Sequence, residues 1–342
     1  MPVEKVTIIG TGLIGTSIGL GLKAARLPTV ELVGHDTEGE AMKTAQRLGA
    51  VDRTERYLEG AVEDARMIIL AAPPLAVRLL LEDLAELAPE GCVITDVSST
   101  KAEVMRWAKD YLPDTVSFVG GHPLAGKEES GPRSASADLF KGKPYAVIPS
   151  PTATDGAVKS VLGLVSILGA EPVFIDAEEH DQYVAAISHM PLVLSTALFT
   201  LVRNSPAWSE ISPLASSGFR DLTRLASGEP QMSHDICVTN PDGVLHWLDR
   251  MIAELRRYRD MIMDNHEELF NTFNAAQVQR EAFLAGTDRP VREQRVELPS
   301  AADQMNTMLF GGWVASNYKK FQKTTQALEQ RNARGARDED DD

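Results

Sequence analysis

The stretch "GGHPLAGKEESG" (120–131) holds one imidazole, His122, among four glycines. A short apolar run, "SFVGG" (117–121), leads into it, so the spacing predicts a strand that ends and turns sharply while presenting the histidine. A neutral imidazole titrates close enough to neutrality to take a proton from a substrate hydroxyl. A second motif, "IIGTGLIGTS", sets Gly10, Gly12 and Gly15 as G-x-G-x-x-G between an apolar run and an apolar helical pattern opened by Leu13 and Ile14. Glycines at these positions permit a tight turn and let backbone N–H groups approach a pyrophosphate at a helix N-terminus. Asp36 closes the next β-branched run twenty-one positions after Gly15, where a carboxylate accepts hydrogen bonds from an adenine-side ribose. The same charge repels the 2′-phosphate of NADP, and "HDTEGE" has no arginine to receive one, so the pattern predicts NAD.

The elements that must position these residues follow from periodicity. Candidate strands are 5–10, 31–36, 67–72, 92–97, 117–121, 145–149 and 172–176, with amphipathic stretches between most of them. That alternation predicts an open, mostly parallel sheet wrapped by helices, with ligands at the C-terminal ends of its strands. Two such ends, "DVSSTK" (96–101) and "GGHPLAG" (120–126), would bring a hydroxyl, a lysine and His122 near a bound nicotinamide. Asp96 and Ser98 also fit a simpler role as caps of the following helix. After residue 176 the strand pattern stops. "EEHDQYVAAISHMPLVLSTALFTLVRN" reads as a long helix, apolar nearly all round after His189, to be buried between other helices or in a subunit interface. The sequence thus divides into an α/β dinucleotide-binding domain (1–176), an all-helical domain (177–290) and a C-terminal extension (291–342) whose acidic end, "ARDEDDD", reads as disordered.

Charge narrows the partners. With 34 Lys+Arg against 49 Asp+Glu, the formal charge of −15 argues against nucleic acid and anionic membranes as partners. An anionic small molecule must therefore be met by a few placed cations. Cys92 and Cys237 cannot build a disulfide framework, and Cys92 lies in an apolar run where a buried, inert thiol is expected. The N-terminal stretch has no signal-peptide pattern, and no unbroken apolar run approaches the ~18 residues of a membrane span. The expectation is a cytoplasmic protein with no metal site.

Five stretches in order, "GTGLIGTS", "DVSSTK", "GGHPLAGKEESG", "AAISHMP" and "SSGFRDLTRLASGEP", resemble the prephenate and arogenate dehydrogenases of tyrosine biosynthesis, over roughly residues 1 to 285. The resemblance implies a Rossmann-type domain followed by a helical dimerisation domain, hence a homodimer. It implies hydride transfer to NAD from the ring carbon bearing the hydroxyl, with loss of the ring carboxylate as carbon dioxide. It makes His122 the acceptor of the hydroxyl proton and Ser99 the residue that orients that histidine and approaches the nicotinamide. Glu128 matches a glutamate that closes the pocket, and Arg224 matches an arginine that binds a substrate carboxylate, a task suited to its fork. His189 and Ser188 match the pocket stretch of the long helix. Many prephenate enzymes carry His-x-x-His there, whereas Leu192 stands at the second position in this chain. Prephenate, arogenate, or both therefore remain open as substrates. Two rivals differ in kind: a β-hydroxyacid dehydrogenase, for which the long helix lacks the usual lysine, and a non-catalytic NAD sensor.

Overall fold

The computed structural model describes residues 4–127 and 129–287, so Glu128 and the extension expected over 291–342 lie outside the described residues. The chain divides into two compact units, one ending at Ala177 and the other beginning at Glu178.

In the first unit β1 (Glu4–Ile9), α1 (Leu13–Ala24), β2 (Val30–His35), α2 (Gly39–Arg47), β3 (Arg53–Thr54), α3 (Leu58–Val62), β4 (Ala65–Leu70), α4 (Pro74–Leu87), β5 (Val93–Asp96), α5 (Ala102–Tyr111) and β6 (Ser117–Pro123) follow one another. Next come β7 (Pro144–Pro149), α6 (Asp155–Ile167) and β8 (Glu171–Phe174). They form one eight-stranded sheet in the order β3-β2-β1-β4-β5-β6-β7-β8. Every neighbouring pair is parallel except β6 and β7, which run antiparallel.

Continuous burial of β5 and β6 explains why their sequences are apolar or small without alternation: helices cover both faces. Neighbouring residues of β4 go to opposite sides. Ile69 joins Ile8, Val119 and Val147 under α1 and α6, while Ile68 joins Ile94 and Phe118 under α4 and α5. Each fully buried aliphatic side chain stabilises this arrangement by about 1.5–3 kcal/mol relative to exposure.

The strands expected at 5–10, 31–36 and 67–72 each end earlier than predicted, at Ile9, His35 and Leu70. At the first of these Gly10 takes φ +96°, a left-handed conformation that turns the chain out of the sheet. The opposite correction applies at β6, which does not stop at Gly121. His122 lies inside the strand, opposite Ala146 of β7, because an antiparallel neighbour keeps pairing the chain through Pro123. The two-residue β3 carried no periodicity to predict it.

The second unit is helical. α7 (Ala177–Val184) runs through a π-helical turn (Ala185–His189) into α8 (Met190–Arg203). Then follow α9 (Trp208–Ile211), α10 (Ser217–Thr223), a 3-10 turn (Arg224–Ser227), α11 (Pro230–Thr239), α12 (Pro241–Asp264) and α13 (His266–Leu284). In the π-helical turn Met190 N–H donates to the carbonyl of Ala185, five residues back. The widened turn sits directly before Pro191, which has no N–H to continue the regular ladder. Along α8 only Met190 and Ser195 are buried, and Leu201 is 75% exposed. The other elements of its own chain therefore cover this apolar helix only in part.

Candidate functional site

The glycine loop begins where β1 stops, between the ends of β2 and β4. Gly10 N–H donates to His35 O at 2.8 Å. A Cβ on Gly10 would stand 2.3 Å from Ala71 O, and one on Gly15 would stand 1.9 Å from Gly10 O, so side chains at either position would collide with backbone. Gly12, the N-cap of α1, meets nothing within 4 Å, which leaves open space over the helix N-terminus with Leu13 and Ile14 as its first residues. The loop is tied to Asp36: its Oδ2 accepts from Thr11 N–H at 2.6 Å and from Thr11 Oγ1 at 3.0 Å. Oδ1 accepts Glu38 N–H at 2.9 Å, a single bond among the described residues, so it keeps acceptor capacity for a further hydroxyl. An open, donor-lined helix start beside a half-buried carboxylate fits a dinucleotide.

Further along the same edge of the sheet, Asp96 ends β5. It does not cap the next helix, and neither does Ser98; α5 starts after Lys101 without a side-chain cap. Asp96 Oδ1 accepts Gly121 N–H at 3.1 Å, and Oδ2 accepts both Ser98 N–H, at 2.9 Å, and the Lys101 ammonium. Lys101 Nζ also donates to Gly121 O at 2.7 Å. Asp96 and Lys101 are both fully buried, so the lysine expected to face a ligand is instead internal. Ser99 is half-buried on the loop between them, and His122 is 8% exposed in the adjoining strand. Gly121 is packed so closely that a Cβ would lie 2.6 Å from Asp96 O and 2.9 Å from the Tyr145 hydroxyl. Burial, with the Asp96 charge nearby, holds the Tyr145 phenol well above the ordinary tyrosine range. Cys92 is buried as expected, and burial pushes its thiol up to about 12, which keeps it in the unreactive protonated form.

In the second unit His189 is fully buried at the end of the π-helical turn, whereas Ser188 beside it is exposed. The Asn240 side-chain nitrogen donates to Asp181 O at 2.8 Å and to His189 Nδ1 at 3.3 Å. In a neutral ring this makes Nδ1 the acceptor and leaves the hydrogen on Nε2. Arg224 is exposed on the 3-10 turn that packs on α8 through a bond from Ala226 N–H to Ser195 Oγ at 3.2 Å. The first unit thus gathers Gly10, Gly12, Gly15, Asp36, Ser99 and His122 on one sheet edge, while the second carries Ser188, His189 and Arg224. Among the described residues no group of three or more His, Cys, Asp or Glu side chains is arranged to hold a metal ion.

Two family models cover most of this chain. Residues 18–174 match the prephenate dehydrogenase nucleotide-binding domain, and residues 176–275 match the prephenate dehydrogenase dimerisation domain. The chain belongs to the prephenate dehydrogenase family. It is 34% identical over 282 residues to a prephenate dehydrogenase of Bacillus subtilis, covering 81% of this chain and 76% of that protein. It is 30% identical over 292 residues to a cyclohexadienyl dehydrogenase of Zymomonas mobilis, covering 84% of this chain and 98% of that one. Its fold resembles a prephenate dehydrogenase of A. aeolicus solved with hydroxyphenyl propionate and NAD+, with a TM-score of 0.76 at 24% identity over 83% of this chain and 99% of that one. Within this family member, two features escaped the sequence. The Asp96–Lys101 pair around Gly121 was hidden because both residues also suit a ligand-facing loop. The Asn240–His189 contact spans 51 residues with no periodicity to announce it.

Proposed function

We propose that the protein oxidatively decarboxylates prephenate with NAD, with arogenate as an alternative or additional substrate. The observation that carries this reading is the placement of His122 near the C-terminal end of β6, on the sheet edge where the glycine loop leaves β1. The backbone N–H groups at the start of α1, with Gly10, Gly12 and Gly15 keeping the space above them clear, would hold the pyrophosphate, and Asp36 would accept a ribose hydroxyl. NAD, when bound, supplies the acceptor for the hydride.

His122 takes the proton of the ring hydroxyl as the carbon–hydrogen bond breaks with its electron pair. The ring carboxylate leaves as carbon dioxide, and its bonding electrons complete the aromatic ring. Ser99 orients His122 and approaches the nicotinamide, and Arg224 clamps a substrate carboxylate with its two-pronged fork. Ser188 and His189 line the pocket, and Glu128 keeps the pocket-closing role implied by the family resemblance. Leu192 removes an imidazole from the pocket, which weakens discrimination for the keto-acid side chain of prephenate over the amino-acid side chain of arogenate.

The protein works as a cytoplasmic homodimer. Residues Ala177–Arg203 form a helix long and apolar enough to cross a membrane by length and composition, with 28% of its most apolar window buried. We read it as interface because it falls within the residues matched by the dimerisation-domain model.

A steady-state assay of prephenate and arogenate, each with NAD and NADP, tests the function. Turnover of at least one acid with a strong preference for NAD is expected, and replacing Asp36 with serine should narrow that preference. Tight NAD binding with no turnover of either acid would overturn the enzyme reading in favour of a sensor.

A further inference from the structure

Strand β6 outlasts its parallel neighbour. Pairing with β5 ends at Thr95 opposite Val119, yet β6 continues to Pro123. On its other side β7 pairs every residue from Val119 to Pro123. Ser150 N–H donates to Phe118 O and Leu124 N–H donates to Pro144 O, so even-numbered positions of β6 direct their peptide groups towards β7. By strand alternation the N–H and C=O of Gly121 face the side where β5 has already ended. Buried peptide groups require partners, and here side chains replace the missing strand. Asp96 accepts the Gly121 N–H, Lys101 donates to the Gly121 carbonyl, and the two side chains are joined to each other. The same Asp96 carboxylate accepts Ser98 N–H, next to Ser99.

We infer that the buried Asp96–Lys101 pair is a positioning device for the reaction: it brackets the peptide before His122 and anchors the loop carrying Ser99, fixing both groups from one internal point. This rests on the reading of His122 as the proton acceptor. Neither Asp96 nor Lys101 touches substrate in this role. The bracket tolerates only glycine at 121, since a Cβ there would meet Asp96 O and Tyr145. A buried ion pair is poor evidence of stabilisation in its own right, and its established use is to impose one arrangement on its surroundings. Misplacing a reacting group by about 1 Å can cost on the order of 10²-fold in rate.

The test is a double-mutant cycle with prephenate and NAD as probes, comparing Lys101→Met, His122→Asn and the double variant. Lys101→Met should lower kcat by about 10²-fold and flatten the rising limb of the pH profile, with NAD affinity by tryptophan-fluorescence titration kept within about twofold. Added to His122→Asn, it should cost almost nothing further. An unchanged kcat in folded Lys101→Met, or an equal loss in both backgrounds, overturns the inference. Near-normal turnover of His122→Asn alone instead overturns the proton-acceptor reading. If Lys101→Met does not fold by circular dichroism, Asp96→Asn passes through the same cycle; failure of both to fold makes the pair a folding device and also overturns the inference.

Discussion

The two units solve the problem of apolar surface differently. In the first, both faces of the sheet are covered by helices, and side chains such as Ile8, Ile68, Leu81 and Phe140 are completely buried. In the second, the buried apolar residues from Glu178 onward, among those described, are Val184, Ala185, Met190, Ile236, Val244 and Met261. Meanwhile Leu201, Leu214, Leu245, Leu255, Phe270 and Phe273 stand more than half exposed in the single chain. Exposed apolar side chains in that number are what a chain matching a dimerisation-domain model is expected to leave uncovered. The first unit has a finished core, whereas the second leaves much of its apolar surface uncovered in the single chain.

The largest expected effect strikes the finished unit without disturbing its core. His122→Asn keeps polarity and most of the volume but cannot take the proton, so kcat should fall by about 10²–10⁴-fold, roughly 3–5 kcal/mol of barrier, with NAD still bound. The neutral ring is the active form, so the wild-type rate should rise with pH until the imidazole is deprotonated. Stopped-time assays across pH should find that limb missing in the variant. Next, Leu81→Ala leaves a cavity beneath α4 and should cost about 2–5 kcal/mol of stability in a denaturant melt. A cost below about 1 kcal/mol would mean that the first core is looser than it looks. Third, Ile252→Asp combined with Leu255→Asp on α12 should dissociate the dimer in sedimentation, each buried aliphatic being worth about 1.5–3 kcal/mol there. Leu79→Asp, at a side chain 61% exposed in the first unit, should change stability by no more than about 0.5 kcal/mol and leave the dimer whole. If both substitutions behave alike, the contrast between the units fails. The smallest effect is kinetic: Arg224→Ala should raise KM by about 10–100-fold, as loss of a charged hydrogen bond worth about 1.5–3 kcal/mol implies, and lower kcat far less.

Much of the α/β unit was legible because each strand announces itself through β-branched runs, and the glycine loop through the collisions that exclude side chains at Gly10 and Gly15. What escaped depended on partners distant in sequence. His122 reads as a turn residue from "GGHPLAG", yet it is a strand residue because β7 arrives to pair with it. Lys101 reads as a ligand-facing cation, yet Asp96 draws it inside. Glycines, histidines and lysines have no fixed environment of their own, so their local spacing is silent on which strand or carboxylate they will meet. The long helix gave the reverse lesson: its apolar character was plain, but no pattern within one chain says what covers the part of it that its own chain leaves exposed. For Ser188, His189 and Arg224 the motif supplied candidates, and the fold added only the Asn240 side chain that holds the His189 ring.

The π-helical turn at Ala185–His189 gives the long helix a change of phase. An extra residue in one turn rotates everything after it by about 100° relative to an uninterrupted α-helix. A stripe that would otherwise wind steadily around the rod is spliced to one on a different bearing. His189 is buried at the same point where the residues of α8 are re-aimed, so a single-residue deletion here would unsettle the Asn240–His189 contact and the facing of α8 together.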